Sequence, residues 1–183
     1  MRLQANKCCS INDFTSLIHS IIKHSYPDIT FIKAFPKDAE AINYKTPIIT
    51  HKIIKRTPTK AVKPRLFEIE NKGDYSNQIT VQQFDYILEF SIWTENADEA
   101  DETLETFEDE VIQAYIGDYK ENGVQEIVFT EQREDNLAND WSSKYVSRHI
   151  RYMVRIEKQS IVRTKNIAAI TTRVNDNLEF VFQ

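Results

Sequence analysis

Two periods organise the hydrophobic positions of this chain. From Ser10 onward, Ile11, Phe14, Leu17, Ile18, Ile21 and Ile22 recur at helical spacing, and Ser10 with Asp13 makes a capping-box-like start. The pattern predicts an amphipathic helix that ends before Pro27. A longer helix is predicted over Ala97 to Ile116, capped by Asn96 and ended by Gly117, with Ala97, Ala100, Leu104, Phe107, Val111, Ala114 and Tyr115 as its apolar stripe.

Elsewhere the period is two. Asp28 to Phe35, Pro47 to Ile54 and Pro64 to Glu70 read as short strands, with a turn over Lys72 to Asn77. The clearest strand, Gln78 to Thr94, places Phe84, Tyr86, Leu88, Phe90 and Ile92 on one face and Gln83, Asp85, Glu89 and Ser91 on the other. Ile87 and Trp93 interrupt the polar face, as a partner contact would require. At about 3.3 Å per residue this run exceeds about 50 Å, so a bend or an overhanging end is expected. Val124 to Glu131 and Lys144 to Lys158 are further strands, separated by a polar loop over Arg133 to Ser143. In the second, Val146, Ile150, Tyr152, Val154 and Ile156 share a face with Arg148, while Ser147, His149, Arg151, Arg155 and Glu157 take the other. Asn166 to Val174 and Leu178 to Gln183 predict a tail hairpin too small to fold alone, which must dock on its own domain or on a neighbour.

The expected fold is therefore α+β: a mostly antiparallel sheet with two amphipathic helices packed on one face, a long basic loop and a C-terminal β-hairpin extension. At 183 residues the chain suits one core. That core is placed in a single domain over 1–158, from which 52–65 protrudes as the basic loop, with 160–183 as the extension.

The net charge of −5 conceals an asymmetry. Up to Thr94 there are 13 Lys and Arg against 9 Asp and Glu; from Glu95 there are 10 against 19. Opposite charge on two parts of one subunit suits head-to-tail self-association. The candidate interface residues are Lys52, Lys55, Arg56, Lys60, Lys63 and Arg65 on the basic stretch, and Asp98, Glu102, Glu105 and Asp109 on the outer face of the second helix. Two unrelated solvated faces are the plainer reading of the same charges.

Chemistry is hard to find. The three glycines are too dispersed to cradle a phosphate. His19, His24, His51 and His149 lack metal-ligand spacing, and the acidic run Asp98 to Glu102 lacks the loop of a calcium site, so no metal or cofactor is expected. Cys8 and Cys9 are adjacent and unaccompanied, which fits a reducing compartment rather than a disulfide framework. No GxSxG, acid/base pair or helix-turn-helix signature is visible, so neither an enzyme nor a DNA-reading protein is the expectation. The basic stretch lacks the interleaved aromatics of a single-strand binder. No apolar run reaches bilayer-spanning length, so no membrane association is expected.

The strand VQQFDYILEFSIWTEN, the acidic helix ADEADETLETFEDEVIQAY directly after it and the later strand KYVSRHIRYMVRIEK together resemble the tail-terminator, or tail-completion, proteins of long-tailed bacteriophages. The resemblance spans Arg65 to Lys158 and is one of pattern rather than of an invariant motif. It implies a structural virion protein assembled in the host cytoplasm. The subunit would form a homo-hexameric ring that caps the head-proximal end of the tail tube, stops its polymerisation and offers the head-tail joining surface. The implied partners are other copies of the chain, the tail tube protein, neck or head-completion proteins and, in a contractile tail, the sheath protein. DNA would pass through the channel unread. Another neck or head-tail connector component is the neighbouring class, and an enzyme or DNA-binding regulator the third. Residues 160–183 and the basic arm depart from the smaller members of the family.

Overall fold

The computed structural model describes residues 10–33, 45–59, 65–133 and 145–165. Two unusually long strands form its spine. β4 (Tyr75–Thr94) and β6 (Val146–Lys165) pair antiparallel along all 20 residues, from Tyr75 opposite Lys165 to Thr94 opposite Val146. Around them lie β1 (Thr30–Lys33), β2 (Ile48–Pro58), β3 (Arg65–Asn71) and β5 (Val124–Arg133). The six-stranded sheet runs β1-β2-β4-β6-β5, with β3 on the same edge of β4 as β2 but nearer its start. Among the described strands, only the β1–β2 pair is parallel. The fold is thus α+β with a mostly antiparallel open sheet, as the alternation of residues implies.

Helices cover one face. In α1 (Ile11–Ser25) the capping box is complete: the Ser10 hydroxyl accepts from the Asp13 amide at 3.2 Å, and the Asp13 carboxylate accepts from the Ser10 amide at 2.7 Å. Phe14, Ile18 and Ile22 are fully buried against the sheet. α2 (Ala97–Thr106) starts where the Asn96 side chain accepts from the Glu99 amide at 2.7 Å.

The second helix is not a single α-helix to Ile116. A π-helical segment, Phe107–Gln113, follows α2, and a short α3 (Ile116–Glu121) comes after a two-residue break. The wider turn lets the adjacent residues Val111 and Ile112 both point inward, so Ile112 is buried where Ala114 was expected, and Ala114 is exposed. Gly117 accordingly lies inside α3 rather than ending the helix. Gly73 and Gly123 do occupy turns, with φ of 78° and 101° that other residues rarely adopt.

The core lies between these helices and the even-numbered residues of the spine. Phe90 contacts the rings of Phe107, at 4.9 Å, and Tyr152, while Phe14 meets Tyr119 edge-on at 5.1 Å. Burying one such aromatic side chain stabilises the fold by about 2–3 kcal/mol.

Two boundaries need correction. Residues 55–58, expected only in the basic loop, belong to β2 and pair with β4 from Ile87 to Phe84, and Lys52 to Ile54, shared by the predicted strand and the predicted loop, are strand. The ladder offered by the long β4 satisfies their backbone groups, which outweighs the polar composition that suggested a loop. Residues 160–165, placed in the extension, are the uninterrupted end of β6, so no boundary falls near 158. Residues 60–64 of the predicted loop, the polar loop beyond Arg133 and the tail hairpin over 166–183 lie outside the described residues, as do Cys8 and Cys9.

Candidate subunit interface

The face of the sheet away from the helices carries rows of charge, with Ile87 of β4, Met153 of β6 and Val128 of β5 level with one another between them. Cross-strand neighbours bring Lys52 of β2, Glu89 of β4, Arg151 of β6 and Glu131 of β5 into one row. Lys52 Nζ lies 2.5 Å from Glu89, Arg151 donates to Glu89 at 2.6 and 2.7 Å, and its other nitrogen reaches Glu131 at 2.6 Å. Arg133 closes the row on Glu131 at 2.8 Å. Burial pushes the Glu89 carboxyl up, but hydrogen bonds and charge from Lys52 and Arg151 outweigh it and hold the group below the usual glutamate range. A second row joins Asp85, Arg155 and Glu126. An open cleft of about 400 Å³ beside it is lined by Gln83, Ile116, Lys120, Gln125, Glu126, Ile127 and Arg155, but Arg155 is already engaged by both carboxylates.

Towards the other end of the same face, His149 Nδ1 lies 2.7 Å from the Ser91 hydroxyl and Nε2 lies 3.2 Å from that of Ser147. Trp93 meets the His149 ring edge-on and donates to the Thr50 hydroxyl at 3.2 Å. Ser91, Ser147 and Thr50 are buried, so the cluster ties three strands together through side chains.

The predicted interface residues fall into separate places. Lys52 is committed to Glu89. Lys55 is exposed on β2, and Arg56 lies over the Phe84 ring, 3.9 Å from its centroid, on the helix-bearing side. Arg65 is the first residue of β3, and Lys60 and Lys63 lie outside the described residues. Basic side chains of β2 therefore do not form one patch. Asp98, Glu102, Glu105 and Asp109 are all exposed along α2 and the π-helical segment, and no ion pair reaches them among the described residues.

Their neighbours on the inner flank behave differently. Asp101 accepts from Arg148 at 2.6 Å, Glu108 accepts from the Tyr152 hydroxyl at 2.8 Å, and Glu110 accepts from the Tyr26 hydroxyl. Burial, then the Glu108 hydrogen bond, pushes the Tyr152 phenol up. The apolar register of Arg148 is explained by Asp101, an acid that the helix pattern alone could not single out. The transverse rows were likewise missed, because their members are far apart in sequence; the alternation of Glu89, Arg151 and Arg155 was the only visible trace.

Among the described residues, no three His, Cys, Asp or Glu converge as a metal-holding group, and no helix is long and apolar enough to cross a membrane. No protein-family model matches the chain, and a search of curated proteins finds no match.

Proposed function

We propose that this chain is a structural assembly subunit of the tail-terminator kind, forming a ring that caps the head-proximal end of a phage tail tube and presents the surface to which the head is joined. The observation that carries the reading is the division of acids on the second helix. Asp101, Glu108 and Glu110 are each matched by a partner of the same chain, whereas Asp98, Glu102, Glu105 and Asp109 form an outward row without one among the described residues. Like charges at helical spacing repel, and a basic surface supplied by another copy relieves that repulsion. The exposed Lys55 is the described candidate on the opposing surface.

Light scattering coupled to size exclusion, with negative-stain images of the main peak and of mixtures with purified tail tubes, tests this reading. Rings of about six copies that seat on one tube end are expected. Tubes left uncapped at both ends would overturn it and favour another neck component. Within the ring, Lys55→Glu and Glu102→Lys should each reduce assembly, and the double reversal should restore it; assembly unaffected by either single change would remove these residues from the interface.

A further inference from the structure

Phe31 of the edge strand β1 carries an imidazole ring from each of two neighbouring elements. The His51 ring of β2 stacks on it, with centroids 4.8 Å apart and planes 12° apart, and the His19 ring of α1 lies along it at 6.1 Å and 21°. Phe31 also meets Phe90 of β4 at 6.5 Å, so the stack ties β1 both to α1 and to the core. His51 is level with Lys33 of β1 on one side and with Phe90 on the other, which places all three on the helix-bearing face.

A proton on His51 has no favourable place there. Its Nδ1 is buried and has no hydrogen-bond partner among the described residues. A neutral ring meets this with a bare lone pair, whereas an imidazolium carries N–H at both nitrogens and would bury a donor without an acceptor. Nor does a described acid offset the added charge. Lys33 of β1 and His19 of α1 both oppose it; β4 presents Phe90, the second helix reaches that ring through Phe107, and Glu89 lies on the opposite face with Lys52. Burial first, and then Lys33, holds the imidazole below the usual histidine range, against a hydrogen bond to the Ile32 backbone that favours the cation.

The element that can yield is β1. It is four residues long and pairs only with β2 among the described residues, whereas α1 is anchored by the buried Phe14, Ile18 and Ile22. We infer that His51 is an acid-sensitive latch, whose neutral ring seats Phe31 and keeps β1 on the sheet and whose protonation frees β1 and bares the β2 edge over Ile48 to His51. A bared strand edge is a template for another strand, so acid uncovers a pairing surface that neutral pH hides. The latch belongs to the single subunit and stands apart from the ring reading. Because the folded ring takes up a proton less readily than a free imidazole, its contribution is fully present above the ordinary histidine value of 6.5 and is lost as pH falls toward the lowered one.

The test uses the full chain in four forms: unaltered, His51→Phe, His51→Gln and His19→Phe. Amide exchange is followed by mass spectrometry at about pH 7.5 and about pH 5.5, corrected for the intrinsic effect of pH, and residues 30–33 and 48–51 are compared with 84–92. The lower pH stays above the range in which Glu89 loses its charge. In the unaltered chain, protection of 30–33 and 48–51 should fall at least about tenfold on acidification while that of 84–92 holds. His51→Phe keeps an aromatic ring but takes no proton, and should abolish the fall; His19→Phe should retain it. His51→Gln, with neither ring nor titration, should loosen β1 equally at both pH values.

A fall that survives in His51→Phe, or that disappears in His19→Phe, would overturn the proposal. So would equal protection of β1 at both pH values in the unaltered chain, or loss of protection by 84–92 together with 30–33, which would mean that acid opens the whole fold.

Discussion

Glu89 sits at the crossing point of the sheet's charged face, nearly inaccessible to solvent and held by Lys52 and Arg151. Removing its charge leaves two cations facing each other across β4. Glu89→Gln is therefore expected to cost about 2 kcal/mol, the scale of a charge-assisted hydrogen bond, measured by denaturant unfolding at neutral pH. Because the folded carboxyl is held below the ordinary glutamate value of 4.5, its contribution is fully present above that value and is lost as pH falls toward the depressed one. The unaltered protein should lose melting temperature on acidification through this window, while Glu89→Gln should show a shallower decline. Equal acid sensitivity in the two would assign the effect to other carboxylates. Arg148 makes the corresponding point on the other face, where an arginine among apolar positions is accommodated by Asp101.

Among the elements, the π-helical segment offers the sharpest test. If the widened turn buries Ile112 in place of Ala114, Ile112→Ala should destabilise by about 2–4 kcal/mol, while Ala114→Ser should change stability by less than about 0.5 kcal/mol. Comparable losses at both sites in denaturant melts would mean that the regular α-helical register holds. The same segment marks where sequence pattern stops being sufficient. A stripe counted at 3.6 residues per turn finds Phe107 and Val111 but then lands on Ala114, since nothing in the local pattern announces the extra residue. The spine was readable because every second residue from Phe84 to Ile92 and from Ile150 to Ile156 is apolar, even though Ile87 and Met153 add apolar side chains to the opposite face. Residues 55–58 were not, because their strand state depends on a partner some thirty residues later, and propensity yields to such pairing. Of the candidate interface residues, the sequence showed the helical spacing of Asp98, Glu102, Glu105 and Asp109, but which acids of the second helix have partners depends on residues far away in the chain, such as Arg148 and Tyr152.

For the whole molecule, cover is unevenly distributed along the spine. The middle of β4 is backed by helices and flanked by β2 and β6, whereas its first residues have only β3 and β6 beside them. In the unassembled chain, amides of β3 and of 157–165 should exchange faster than those of 84–92, as local openings follow contact density. Uniform exchange along β4 would contradict this gradient. The two faces of the spine also bear on errors of chain pairing. A long antiparallel pair can slip by one residue at little backbone cost, but here a slip would drive Glu89 or Arg151 under the helices and turn Leu88 or Tyr152 out. Register is thus specified twice over the covered stretch, by exclusion of charge on one side and by complementary charge on the other. Single-residue insertions should be rejected there and absorbed near the Gly73 turn, so length variation among natural variants of this chain should gather at that end of the spine.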